Sequence, residues 1–400
     1  MGLLTRRAAQ WCADHGLHEA AIGYAMDADD AELIARSVEQ VAISVYRSGR
    51  LATVQRWFDW FDDHGLIEQY PAVAIIGAWI HALVGHAVAA ERWADAAELG
   101  SYQGTLPDGS ASVDGWRALL RAKLCRHGVE QMRADAESAA ALLPAGSLWR
   151  GPAQLLLAIS LLVGGDRELA DRALAQAVEV AQDTGAKVAT TVALAERAML
   201  AIDRQDWPEA EILAERARQL VAAAHLEHCT TSVLVYAVAA RVAIHRGDAS
   251  QAEQDLARAQ QLRPQLNHAL PYHAVQARLE LVRAYLALAD LASARVVLRE
   301  VADLLHRRPR LGTLPEQADQ LRAQLDNLHA DLNGASPLTT AELRLLPLLP
   351  THQSFREIGQ RLHLSPHTVK SQALSVYRKL GVSSRSQAIQ RARTLGLLAA

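Results

Sequence analysis

From residue 5 to about residue 332 the chain repeats one unit: a helical apolar stripe, a small polar turn, then a new stripe. The turns are read at Ser48-Gly49-Arg50, Gly85-His86, His127-Gly128, Gly165-Asp166, Gln205-Asp206, Gly247-Asp248 and Ala289-Asp290. They recur about every 40 residues, the length of two helices and their loops. After several turns the same pattern follows. Leu169, Ala173 and Ala177 share one helix face, as do Ala210, Leu213, Ala214 and Ala217, and Ala252, Leu256 and Ala259. Asp206 before Trp207-Pro208-Glu209 reads as an N-cap with Pro in the first turn. No Val/Ile/Thr run alternates with period two, so no strands are expected.

Composition agrees with that reading. Half of the 400 residues are apolar and 21% are charged, which excludes a disordered or fibrous chain. With only 3 Phe, core bulk comes from Leu, Val and Ala, and Ala has the best helix propensity. The expected class is all-α. Cys12, Cys125 and Cys229 are far apart and odd in number, so no disulfide framework or metal spacing can be read. A reducing, cytoplasmic setting is the expectation. The N-terminus has arginines but no apolar segment behind them, so it is not read as a signal peptide. The longest uncharged run, Val73 to Ala90, contains Gly77, His81, Gly85 and His86. It reads as a helix pair broken near Gly85, not as a membrane span.

Stacked helix pairs of this length form a solenoid resembling tetratricopeptide (TPR) arrays. The strict consensus is not met and the unit exceeds 34 residues, so the expectation is a TPR-like superhelix over 1–332. Such superhelices offer a long concave surface for a partner or effector. Leu314, Ala318, Leu321, Leu325, Leu328 and Leu332 then form a short heptad seam, read as a capping helix or a dimerising lever. Asn333-Gly334-Ala335-Ser336-Pro337 reads as a linker over 333–337. A second domain is expected over 338–400.

The overall net charge of −3 hides a split. From Ser336 onward nine Lys/Arg face two acids, Glu342 and Glu357, a net of +7. The rest of the chain is net −10. A basic end on an acidic body points to a polyanion. Thr339-x-x-Glu342, Ser354-x-x-Glu357 and Ser384-x-x-Gln387 are capping boxes, Ser365-Pro366 is an N-cap with Pro at the first helical position, and Gly381 is placed to end the third helix. Four helices are expected near 340–349, 355–363, 366–380 and 384–395, with Pro347 kinking or shortening the first. The second buries Phe355, Ile358 and Leu362; the third buries Val369, Val376, Tyr377 and Leu380. The three-residue turn His363-Leu364-Ser365 between them has helix-turn-helix (HTH) geometry. His367, Lys370, Ser371 and Leu374 are placed to reach base edges, and the helix N-terminus with Ser365 is placed to meet phosphate.

The stretch from Leu338 to Leu398 resembles the LuxR-type HTH domain. It carries that family's LT…E, EIGQRL, LSPHTVKSQ, YRKLGV and SR signature. The resemblance implies a transcription regulator with its third helix in the major groove and its fourth helix, 384–395, as dimer contact on DNA. Lys370, Ser371 and Leu374 match positions that meet bases. Ser365, Thr368, Gln372 and Lys379 match positions that meet or support phosphates. With His367 and Arg378 they complete the expected DNA-binding set, the HTH motif itself spanning 355–374. Gln372 stands where His is common, and Ala341 where Arg is common. RRAAQWCADHGLHEAAIGYAMDADDAELIARSVEQ is similar to the start of the helical sensor region in large ATP-binding MalT-like LuxR regulators. No G-x-x-x-x-G-K-[ST] occurs, so no ATPase module or nucleotide site is expected.

Other constellations carry less. His225-x-x-His228-Cys229 would share a face on a helix, but a fourth zinc ligand is not evident. His15-x-x-His18 lies at the Gly16 turn. Trp57, Phe58, Trp60 and Phe61 read as helix-pair core. No nucleophile elbow G-x-S-x-G occurs, and no enzyme, cofactor or metal is expected. The leading reading is a regulator that binds double-stranded DNA in a sequence-specific way, with room for a small-molecule or protein effector on the solenoid and for RNA polymerase as partner. The alternative is a solenoid scaffold whose HTH serves dimerisation.

Overall fold

The structure, a computed structural model, describes residues 2–334, 338–351, 353–362, 364–394 and 397–398. Among them are helices and turns but no strand, as an all-α chain requires. Two compact units are formed, Met1–Leu321 and Arg322–Ala400.

The first unit opens with α1 (Gly2–Asp14) and α2 (His18–Asp27). Seven helical hairpins follow. They are α3 (Ala31–Arg47) with α4 (Leu51–Asp63), α5 (Pro71–Leu83) with α6 (Ala87–Leu99), and α7 (Asp114–Leu124) with α8 (Val129–Leu142). Next come α9 (Arg150–Val163) with α10 (Arg167–Asp183), and α11 (Lys187–Asp203) with α12 (Trp207–Ala223). The last two are α13 (Ser232–Arg246) with α14 (Ala249–Leu262), and α15 (Pro271–Ala287) with α16 (Leu291–Arg307). Each of the seven turns read from the sequence falls inside one hairpin. Every one holds a residue in the left-handed region, with φ from +57° at Ala289 to +99° at Gly165. The Asp of the later turns caps the second helix: Asp166, Asp206, Asp248 and Asp290 accept the N–H of Leu169, Glu209, Gln251 and Ser293.

The two helices of a hairpin have different surroundings. All thirteen residues of α5 are buried, and α11, α13 and α15 are buried over most of their length. The second helices bury one stripe only, in α12 Ala210, Leu213, Ala214, Ala217 and Val221. An inner helix surrounded by others must be apolar on all sides, which explains the uncharged run at Val73. Small residues let the helices close up. A Cβ on Gly77 would run into the Trp93 ring. No described helix is long and apolar enough to cross a membrane.

The repeat does not leave its inner face open along its length, as the sequence reading expected. Late hairpins return to early ones. Asn267 Nδ2 donates to Gly85 O at 2.7 Å, and Thr230 Oγ1 donates to Leu83 O at 2.7 Å. Val129 N donates to Arg310 O at 3.1 Å, and Thr313 N to Val163 O at 2.8 Å. Arg308 pairs with Glu91. Inside, the buried Glu280 pairs with Arg241 and Arg283, and Glu196 Oε2 accepts from Gln276 Nε2 at 3.1 Å.

α17 (Leu314–Gly334) carries the heptad seam. Leu314, Ala318, Leu321 and Leu325 are buried, whereas Leu328 is 36% exposed; the Leu332 side chain lies outside the described residues. Asn333 and Gly334, expected in the linker, belong to the end of this helix. Asn and Gly are common where helices end, so the same pair reads either way. Residues 335–337 lie outside the described part. His225, His228 and Cys229 are not on a helix face. They lie in the connection after α12, where His225 takes φ +54°. Trp57, Phe58, Trp60 and Phe61 are buried core.

Candidate nucleic-acid interface

The second unit holds four helices after α17: α18 (Thr340–Leu345), α19 (Phe355–Leu362), α20 (Pro366–Lys379) and α21 (Arg385–Thr394). α18 gives way to a 3-10 turn over Leu346–Leu348, at the proline that lacks a donor. Thr339 and Glu342 form a reciprocal capping box, and so do Ser354 and Glu357. The third box is displaced by one residue. Ser384 Oγ accepts Gln387 N, but Gln387 Oε1 accepts from Ser383 N at 3.1 Å.

The turn between α19 and α20 is tight. Leu364 N donates to Gly359 O at 2.8 Å, and a Cβ on Gly359 would lie 2.7 Å from Leu364 O. Glycine is therefore needed at this position of α19 so that the two helices can approach. Ser365 Oγ accepts Thr368 N at 3.0 Å and meets Thr368 Oγ1 at 2.7 Å, which caps α20. His363 lies outside the described residues. α20 ends in a Schellman turn: Gly381 has φ +67°, and Val382 N donates to Tyr377 O at 2.9 Å.

One face of α20 buries Val369, Ala373, Val376 and Tyr377 in a core with Leu345, Leu346, Leu349, Ile358 and Ala388. That packing fixes the opposite face. His367, Lys370, Ser371, Leu374 and Arg378 are all exposed and follow i, i+3, i+4, i+7, i+11 along one stripe. Leu374 is 55% exposed, an apolar side chain amid polar ones. Ser365 is exposed at the helix N-terminus, Thr368 half-buried beside it. Gln372 is half-buried, and its Oε1 has no hydrogen-bond partner among the described residues.

Lys379 stands apart from that stripe. Its Nζ donates to Glu342 Oε2 at 2.7 Å, tying α20 to α18. Burial alone would raise the Glu342 pKa. The Lys379 ammonium, the Thr339 amide and the Ser375 hydroxyl outweigh burial and hold the carboxyl at about 2. The resemblance matches Lys379 to positions that meet or support phosphates; within the fold it pairs with Glu342. The partner is far away in sequence, so no spacing rule could have found it. Arg385 is likewise engaged. Its guanidinium donates to Leu349 O, Gln353 O and Thr351 O at 2.7–2.9 Å and lies over the Phe355 ring. Arg344, Arg356, Arg361, Lys370, Arg378, Arg391 and Arg393 remain exposed. A duplex phosphate can be met by such side chains, and base edges by the α20 stripe.

No curated protein matches the chain in sequence. A Rap protein solved in complex with competence and sporulation factor aligns at 14% identity and TM-score 0.49, over 83% of this chain and 96% of that one. Human IFIT1, solved as a dimer with m7Gppp-AAAA, aligns at 15% identity and TM-score 0.36, over 100% of this chain and 91% of that one. The family described as bacterial regulatory proteins, luxR family, matches residues 336–392. With its capped HTH and the exposed stripe of α20, the C-terminal unit of this chain carries a luxR-family helix-turn-helix domain.

Proposed function

We propose that the chain is a transcription regulator that reads duplex DNA with α20 in the major groove, under the control of its helical body. The observation that carries this reading is the α20 stripe: five exposed side chains on one face of a helix whose other face is locked into a core. Lys370, early on the helix, donates to guanine O6 or N7; Leu374 meets a thymine methyl. Ser365, Thr368, Gln372 and Arg378 meet or support phosphates. α21 joins two copies on DNA. The family's regulatory character and the absence of any nucleophile motif support a non-enzymatic role.

The test is selection of bound duplexes from random-sequence DNA by the purified full chain, then titration of the selected duplex against a scrambled one across a salt series. A selected sequence bound at least tenfold more tightly than the scrambled one is expected, with Lys370→Ala removing most of the difference. Equal binding to both duplexes would leave α20 a non-reading helix and sink the proposal.

A further inference from the structure

The inner helices converge on a small cleft in the first unit, partly open to solvent. α3, α5, α7, α9, α11 and α15 line it, together with Thr231 at the start of α13. Its walls are mostly apolar, with Leu155, Leu156, Ile159 and Val192 among them. No lining residue is acidic.

Two basic side chains line this apolar space, Arg47 of α3 and Lys123 of α7, and Lys123 is the more deeply buried. Lys123 is 7% exposed, and its Nζ stands 3.9 Å from the centroid of the Trp79 ring. Among the described residues it has no carboxylate or hydrogen-bond partner. The ring face attracts the ammonium but satisfies none of its N–H donors. Burial lowers the Lys123 pKa to about 8, with Cys229 as the neighbour opposing that shift. Trp149, 3% exposed, lines the same cleft, and its Nε1 is buried without a hydrogen-bond partner among the described residues. His273 beside them is held neutral by burial, its pKa near 4.

The helix ends point the same way. α10, α12, α14 and α16 are capped by aspartates. The N-cap residues of α9, α11, α13 and α15 are Trp149, Ala186, Thr231 and Leu270, none of which makes a side-chain cap bond. All four line the cleft. Four helix N-termini, each with positive partial charge, thus end there without the carboxylate that α10, α12, α14 and α16 receive.

We propose that this cleft binds a small organic carboxylate with an apolar body, its anionic end held by Lys123 Nζ and its hydrocarbon lying against the α9 and α11 walls. A buried cation without a counter-ion is unfavourable in the empty protein, and an anion brought by the ligand supplies the missing partner. The site stands on its own geometry; only its consequence for transcription rests on the proposed function, so binding is measured without DNA.

Calorimetry of the full chain at pH 7 with octanoate and with octan-1-ol is the test. Octanoate is expected to bind at one site at least tenfold more tightly than the alcohol. Lys123→Met keeps the apolar stem, should bring octanoate down to the affinity of the alcohol, and should raise the melting temperature of the ligand-free chain. Val192→Trp should fill the cleft and abolish binding of both. Equal affinity for acid and alcohol, absence of octanoate binding, or an undiminished octanoate preference in Lys123→Met would each overturn the proposal. So would a lowered melting temperature in that variant, since the lysine would then be a structural cation. A chain that binds octanoate through Lys123 but reads no DNA would keep this inference and refute the proposed function.

Discussion

Lys370 and Lys379 are nine residues apart on one helix, yet the structure gives them different work. Lys370 is exposed on the α20 stripe. Lys370→Ala should cost about 1–3 kcal/mol on a selected duplex and relax preference at one base step. Lys379 is bonded to Glu342, so Lys379→Ala should lower the melting temperature of the second unit before it alters sequence preference. The same pair makes a pH prediction. Glu342 titrates near 2 when folded and near 4.5 when not, so its stabilisation is complete above pH 5 and is lost as pH falls toward 2. In urea unfolding the parent should lose stability over that range relative to Glu342→Gln, which lacks the titrating carboxyl. Glu196 has the opposite sign. Burial first, and then the Glu280 charge, raise it to about 8. The folded state therefore holds a proton that the unfolded chain releases, and stability falls as pH rises from 5 to 8. Glu196→Gln should flatten that decline, at about 1.4 kcal/mol for each unit of displacement. These partners were hidden from the sequence because Glu342 meets Lys379 only through folding. Lys123 did leave a trace: with Trp116, Leu119 and Leu120 it falls on the apolar face of α7, where a lysine is out of place.

At the scale of the element, the turns and caps were legible because each is set by a few adjacent residues. All seven hairpin turns and most of the C-terminal caps follow local rules of a left-handed turn residue, glycine in five of the seven, and of side-chain acceptors. What local rules missed is where a helix stops when its ending residues are ambiguous, as at Asn333-Gly334, and which acceptor a cap selects, as at Ser383 and Ser384. Gly359 shows the limit from the other side. It reads as a weak helix former within EIGQRL, but its need comes from the carbonyl of Leu364 across the turn. Gly359→Ala should destabilise the second unit by roughly 1–3 kcal/mol and weaken DNA binding on all sequences alike. Circular dichroism melting beside duplex titration would check this; a fully stable variant would contradict the close approach.

For the whole molecule, the repeat was evident and its closure was not, since nothing in a 40-residue pattern says that Gly85 will meet Gln265. Gly49 and Gly85 separate the two effects. Both have φ +82°, but Gly49 has open space, whereas a Cβ on Gly85 would collide with Gln265 O. Gly49→Ala should cost about 1 kcal/mol, the left-handed strain alone. Gly85→Ala should cost roughly 2 kcal/mol more, because closure is disturbed as well. Equal losses in chemical denaturation would mean that the closure contact contributes nothing. The split of charge, +7 from Ser336 onward against −10 before it, belongs to this scale too. With Lys379 and Arg385 engaged inside the fold, the slope of log affinity against log salt should be about −4 to −6.

The return of the Asn267 region to Gly85 also has a consequence in time. Ribosomes add about 5–20 residues per second, so the hairpin α5–α6 leaves the tunnel roughly 10–40 s before its partner across the body exists. During that interval the uncharged α5, buried on every side in the finished fold, has no late hairpins to cover it. Contacts this distant in sequence, Asn267 to Gly85 and Thr230 to Leu83, form late in folding. Ribosome-bound chains arrested before residue 265 should be far more protease-sensitive than those arrested beyond residue 310.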